Sequence, residues 1–374
     1  MTAAEHALVA DPAAVRAAPE ELSVTSGAGP AGLALLDARW DELVAQQDLP
    51  APTSGAAWLQ ALAAADRGRP FVATAEAGGR LVAGGAFSLR TPKAAPRPVV
   101  ATWLGTEPFW YSPELLVDPE LPRAGVAILD EVLARADLVH VAAASDGPTA
   151  AALLERLPWA KVEPGAEGWI LPLPPPRLEH AEAKAAYTAR RAERLGAKLE
   201  VRRWRDAVDV APALERLFEL HEARWRGRSD AIPSFSSTRE TTEWHRAVIA
   251  AAARLQRARI VEVWEDGILV ASVLGLLHGR GSLFHTMAIR PGGRLRGPGH
   301  LVLLELAKEL HAAGAAGMDL GWGAGEPDGP KARLGPRRVE VVRLLAARSR
   351  RMQRPLEQAL RLRGRASRTA RRHA

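Results

Sequence analysis

The segment 'GRLVA' at Gly79–Ala83 returns as 'GILVA' at Gly267–Ala271, and both times a tight glycine turn joins it to an apolar strand before it. Some twenty residues upstream of each hairpin lies a helical segment with a tryptophan, Trp58 in 'AAWLQALAAA' and Trp244 in 'ETTEWHRAVIAAAARL'. Five matching residues carry little alone, but the matching order of elements is the mark of a tandem duplication. The chain reads as two similar α/β halves, and its 374 residues are enough for two cores of ordinary size.

The rest of the chain fits that division. In the first half, 'LSVTSG' reads as a strand, and 'GLALLDARWDELVAQQ' places Leu33, Leu36, Trp40 and Leu43 at the spacing of an amphipathic helix. The runs 'PVVATWLG' and 'LVHVAAAS' read as strands on either side of a helical 'RAGVAILDEVLARAD'. The proline run 'LPLPPP' closes this half, because proline can continue neither a helix nor a central strand. The expected domains are residues 21–175 and 176–342, with a disordered tail at 1–20 and an arginine-rich tail at 343–374. In the second half, 'KLEVRRW', 'SLFHTMAIR', 'GMDLGWG' and 'RRVEVVRLL' read as strands, 'ALERLFELHEARW' and residues 297–311 as helices.

The net charge of +7 is unevenly placed: residues 343–374 hold eleven arginines against Glu357, so the remainder of the chain is slightly acidic. Such a tail is a solvated end, a packed terminal helix or an anion-binding arm, and only the last makes nucleic acid a partner. The absence of cysteine excludes disulfides, thiolate metal sites and a cysteine nucleophile. No stretch approaches the roughly 18 apolar residues of a membrane span, and no basic start leads into an apolar run, so a cytoplasmic location is expected.

The segment 'RLRGPGHLVLLELAKEL' holds Arg294, Gly297 and Gly299 in an R-x-x-G-x-G pattern between a strand and a helix. Glycines let backbone N–H groups approach a phosphate, and the helix start adds donors and the positive end of its dipole. The competing reading is a plain helix start in which Gly297 and Pro298 turn the chain, and Pro298 removes one N–H from any cradle.

The order strand, two helices, hairpin, strand, R-x-x-G-x-G, helix, strand resembles the GNAT acyltransferase fold. More specifically, 'PGHLVLLELAKELHAAGAAGMDLGWGAGEPDGPKARLG' at 298–335 is similar to the end of the CelD/BcsL-type acetyltransferase domain, and 'YTARRAERLGAKLEV', 'LFELHEARWRGR' and 'ATWLGTEPFWYSPELLVDP' add to the likeness. The resemblance implies a tandem GNAT-like α/β fold related to Fem-type transferases, with mixed, mostly antiparallel sheets flanked by helices. It implies acetyl-CoA as acyl donor in the second half, with Ile289, Arg294, Gly297, Gly299 and His300 as its binding residues, and an amine or hydroxyl acceptor such as a glycan precursor. The first half lacks the motif and is expected to be a degenerate scaffold. Lys331 matches a family lysine, although Pro330 stands where the family has tyrosine.

Acyl transfer from a thioester needs alignment of the reactants, a proton acceptor and stabilisation of the oxyanion. Candidate catalytic residues are Asp319, as base or as cap of the following turn; His285, as base or as a core histidine; and Lys331, as substrate contact or surface residue. Glu326 and Asp328 are further loop acids, and His221 and Trp225 share a helix face. The histidine spacings support no metal site. Two alternatives stay open, a Fem-like transferase fed by aminoacyl-tRNA and a GNAT scaffold without catalysis.

Overall fold

The structure, a computed structural model, describes residues 21–48, 51–66, 68–91, 98–105, 114–156, 161–225, 239–295, 297–322 and 331–349. The expected tail at 1–20, most of the one at 343–374, and Glu326 and Asp328 lie outside these residues.

The first half runs β1 (Leu22–Ala28), α1 (Pro30–Leu33), α2 (Ala38–Gln46), α3 (Ala56–Ala65), β2 (Arg69–Ala77), β3 (Arg80–Arg90), β4 (Val100–Trp103), β5 (Leu116–Val117), α4 (Arg123–Leu133), β6 (Leu138–Ala144), α5 (Pro148–Arg156) and β7 (Lys161–Pro172). The second runs α6 (Leu178–Arg194), β8 (Leu199–Trp204), α7 (Ala207–Trp225), α8 (Arg239–Arg254), β9 (Ala258–Glu265), β10 (Ile268–His278), β11 (Gly281–Ile289), α9 (Pro298–Ala312), β12 (Gly317–Trp322) and β13 (Arg337–Ala347). Among the described residues no helix is long and apolar enough to cross a membrane.

The two hairpins turn alike. Gly78 and Gly79 have φ of 56° and 77°, Asp266 and Gly267 of 50° and 79°. A two-residue hairpin with both central residues left-handed matches the twist of its strands, which is why glycine recurs there.

All the described strands join one mixed, mostly antiparallel sheet, with order β1-β2-β3-β4-β6-β13-β7-β12-β11-β10-β9-β8 and β5 attached to β3. The halves are mirrored about the β13–β7 pair, and each half's last strand lies against the other half: β7 pairs with β12, and β13 with β6. The two expected sheets are therefore one, closed by exchange of terminal strands. This corrects two sequence expectations. The strand read at 'RRVEVVRLL' runs on to Ala347, past the expected domain bound at residue 342, and buries Val342, Leu344 and Ala346. The proline run begins inside a central strand, since Leu171 and Pro172 pair with Met318 and Gly317, Pro172 being the strand's last residue.

Helices cover both faces. On one side α2 and α3 of the first half and α7 and α8 of the second share a single core. On the other, α4 packs over the first half and α9 over the second. In the shared layer Trp58 and Trp244 meet edge to face at 5.5 Å, and the Trp244 indole donates to Ala61 O at 3.0 Å. Such an aromatic pair contributes about 0.5–1.5 kcal/mol beyond its buried area. Arg257 pairs with Asp41 across the same boundary at 2.9 Å.

Candidate active site

β11 and β12 are parallel neighbours for only three residue pairs, Gly281–Gly317 to Leu283–Asp319. Beyond them β11 follows β10 and β12 follows β7, so the strands part and leave a gap in the middle of the sheet. Lys331, at the start of a 3-10 turn (Ala332–Leu334), reaches into this gap. Its Nζ donates to Leu320 O at 2.6 Å and lies 4.2 Å from the centre of the Phe284 ring. Burial lowers the Lys331 amine to about 8 against the opposing pull of Asp319. Asp319 Oδ1 accepts from Gly321 N at 2.7 Å, the turn-capping role weighed for it. Burial raises its carboxyl, while that bond and Lys331 act the other way. The gap thus brings Asp319 and Lys331 together, each shifted toward its neutral form.

The start of α9 lies against the end of β11, where Gly299 meets Ile289 and Met287. Gly297 caps the helix with φ 91°, a backbone that side chains resist, and Pro298 occupies the first helical position. A Cβ on Gly299 would stand 2.5 Å from Ile289 Cδ1, so this glycine is matched to Ile289 by packing. His300 N donates to Gly297 O at 3.0 Å. One first-turn donor is thus missing at Pro298 and another is committed to Gly297. His300 Nε2 accepts from Arg333 at 2.9 Å, and burial followed by the charges of Arg333, Lys184 and His180 lowers its imidazole to about 4. Arg333 and Lys184 make the helix start electropositive, a setting for an anion. Arg294 is not brought to it: the guanidinium pairs with Asp266 at 2.7 Å and Glu265 at 3.2 Å, on the β9–β10 turn.

His285 stands on a β-bulge. Phe284 pairs with Gly275 and Thr286 with Leu274, leaving His285 as the extra residue of β11. A bulge re-aims its side chain, and here it turns the imidazole to the α8 side, where the His245 ring lies 5.3 Å away and Trp58 5.9 Å away. His221 joins this group from α7, its Nε2 accepting from Trp225 Nε1 at 3.2 Å. Burial lowers His221 and His245 to about 4 and His285 well below the usual imidazole range. His245 carries no sequence signal, because the three histidines sit on separate elements and converge only through packing.

The first half has the corresponding parallel pair, Val100–Leu138 and Ala101–Val139, and there the gap is filled. Trp103, at the position Phe284 takes in the second half, donates through Nε1 to Ala142 O at 2.8 Å and stacks on Phe87 at 4.8 Å.

A family model described as Acetyltransferase (GNAT) domain matches residues 182–327. This stretch of the second half is similar to a GNAT-type acetyltransferase domain. Its matched stretch takes in α9, the parting of β11 and β12, and His221, His245 and His285. A crystal structure of FemX superposes on the chain with a TM-score of 0.58 at 12% identity, covering 81% of this chain and 94% of that one. The C-terminal DUF2156 domain of a protein described as a lysylphosphatidylglycerol synthetase from Agrobacterium fabrum does so with a TM-score of 0.54 at 14% identity, covering 88% and 95%. At these identities the likeness is one of fold. No curated protein matches the sequence.

Proposed function

We propose that the chain is an acyltransferase in which the second half holds an acyl-CoA, acetyl-CoA first among them, and passes its acyl group directly to an amine or hydroxyl acceptor. The observation that carries this reading is the parting of β11 from β12 around Asp319 and Lys331, beside the electropositive start of α9. An extended thioester laid through it would have its phosphates at Gly297, Gly299 and His300 and its carbonyl near Asp319 and Lys331. Arg294 has a smaller part, being held by Asp266. With no cysteine in the chain, direct transfer fits better than an enzyme thioester. The first half, its own gap filled by Trp103, acts as scaffold and wall of the acceptor side. The CelD/BcsL likeness of 298–335 favours a glycan-precursor or cell-envelope acceptor and a cytoplasmic setting.

A second donor, an aminoacyl-tRNA, is favoured by one feature: α6 lines up Lys184, Arg191 and Arg194 around Tyr187 near the same helix start. Calorimetry with acetyl-CoA, desulfo-CoA and bulk tRNA, on the wild type and Gly297→Glu, separates the two. Desulfo-CoA binding that the variant loses is the expected result. Equal binding by both proteins, or none by the wild type, ends the acyl-CoA reading. Binding of tRNA that weakens steeply with salt supports the second.

A further inference from the structure

The bulge at His285 lies two residues beyond Leu283, the last residue of β11 paired with β12, so the residue stands just past the point where the strands part. The ring it meets there belongs to α8: His245 is 5.3 Å away between ring centres, tilted by 48°. His245 Nδ1 is 2.8 Å from Thr241 O. A carbonyl only accepts, so the hydrogen of the neutral ring sits on Nδ1 and the lone pair on Nε2. On α7 the bond from Trp225 fixes His221 the other way, with Nε2 as acceptor and the hydrogen on Nδ1. Trp58 from the first half and Trp244 beside His245 enclose the pair, and both indoles are buried.

We propose that His245 is a positioning residue for the acyl transfer, receiving at Nε2 the proton that His285 withdraws from the acceptor. The inference rests on the acyltransferase reading above and assigns the proton path of that same site. The acceptor nitrogen or oxygen bonds to the thioester carbonyl carbon as the carbon–sulfur bond breaks, its electron pair leaving on sulfur as thiolate. One nitrogen of His285 takes the acceptor's proton while the other yields a proton to His245. The thiolate then draws a proton from the imidazolium, which restores the pair. A lone imidazolium in this apolar place would be costly, and two rings share the charge. Asp319 is less suited to the task, since its carboxylate already accepts from Gly321 N and faces Lys331.

Two measurements on the full chain test this. Nitrogen-15 NMR of the histidine rings should show His245 neutral with its hydrogen on Nδ1, and His245→Gln should move the ring nitrogens of His285. A hydrogen on Nε2 of His245, or His285 resonances that stay in place, overturns the proposal. Thiol release from acetyl-CoA, with water as acceptor, should fall about tenfold or more in kcat for His245→Gln while KM stays within about twofold, and added imidazole should restore part of it in His245→Ala. If the glutamine variant does not fold, His245→Phe preserves ring volume and serves instead. Unchanged kcat also counts against the relay. Failure of the wild type to bind desulfo-CoA overturns the donor reading instead, and the NMR result stands apart from it.

Discussion

Lys331 Nζ donates to Leu320 O at 2.6 Å across the parting strands of the second half, much as Trp103 Nε1 donates to Ala142 O at 2.8 Å in the first. In each half a side-chain donor bridges the opening to a carbonyl of the inner strand. The difference lies in what carries it. An indole stacked on Phe87 is a fixed plug, whereas an amine on a 3-10 turn is a reactive group that a substrate could replace.

The first prediction concerns that amine. With its proton affinity lowered to about 8, Lys331 is half deprotonated near pH 8, where an ordinary lysine is almost wholly charged. Labelling with a water-soluble acetylating reagent, followed by peptide mass spectrometry, should give a rate for Lys331 that levels off above about pH 8, and bound desulfo-CoA should protect it. A rate still rising through pH 10 contradicts the assignment. Lys331→Met should lower kcat/KM by about tenfold or more, the scale of one hydrogen bond from a charged donor.

The buried ionisable groups give opposite pH signatures. His221 and His245 are lowered to about 4 from 6.5, so between those values the unfolded chain binds more protons and stability falls as pH drops through the window. Full expression of one such shift is about 3 kcal/mol. Glu114, accepting from Ala144 N at 2.6 Å, is raised by burial to about 7 from 4.5. There the folded chain binds more protons, and its stabilising share is present below pH 4.5 and lost as pH rises through 7. Denaturant titrations from pH 4 to 8 should therefore show Glu114→Gln more stable than wild type at pH 8 and equal to it near pH 4.5. His245→Phe should flatten the acid limb.

What the sequence disclosed was local. Both hairpins and the strand–glycine–helix junction at Gly297 follow from short-range patterns, each decided by a few residues, whereas the meeting of Asp319 with Lys331 depends on how the chain returns after β12. The strand exchange was hidden, because β7 and β13 take their partners from the opposite half. The segment 'KVEPGAEGWILP' also reads poorly as a strand. Pro164 is accommodated beside a register shift against β13, and a Cβ on Gly165 would stand 2.5 Å from Val341 O, so the prolines and glycines that obscure the strand are what that close crossing admits. The ion pair of Arg294 with Asp266 was hidden for a different reason: its partner sits on the β9–β10 turn, 28 residues earlier in the chain. His245 became visible only when α8 was packed against β11.

The filled gap of the first half yields a further prediction. Trp103→Phe retains a ring for Phe87 to stack on and loses the bond to Ala142 O, and it should destabilise by about 1 kcal/mol. Trp103→Ala should cost about 3–5 kcal/mol, as buried aromatic deletions do. Neither should change desulfo-CoA affinity more than about twofold once corrected for folded fraction, since the donor is assigned to the other half. A clear loss of affinity in Trp103→Phe would relocate the donor.

Gly297 and Gly299 are both glycines of the R-x-x-G-x-G pattern, yet different constraints hold them, and substitution should tell them apart. Gly297 has φ 91°, so Gly297→Ala should destabilise by about 1–2 kcal/mol whatever its neighbours do. Gly299 has helical backbone, and its obstacle is the end of one flexible side chain, Ile289 Cδ1, 2.5 Å from the added methyl. Gly299→Ala alone should cost about 1–3 kcal/mol by overpacking, and Ile289→Val, which deletes that methyl, should recover most of it. A double-mutant cycle in urea should therefore show a favourable coupling of about 1 kcal/mol or more between Gly299→Ala and Ile289→Val, and a coupling near zero for Gly297→Ala with the same partner. If the double variant folds normally yet binds desulfo-CoA worse than Ile289→Val alone, Gly299 serves the donor as well as the packing. Restored binding along with stability would mean that packing against Ile289 is the whole of its role.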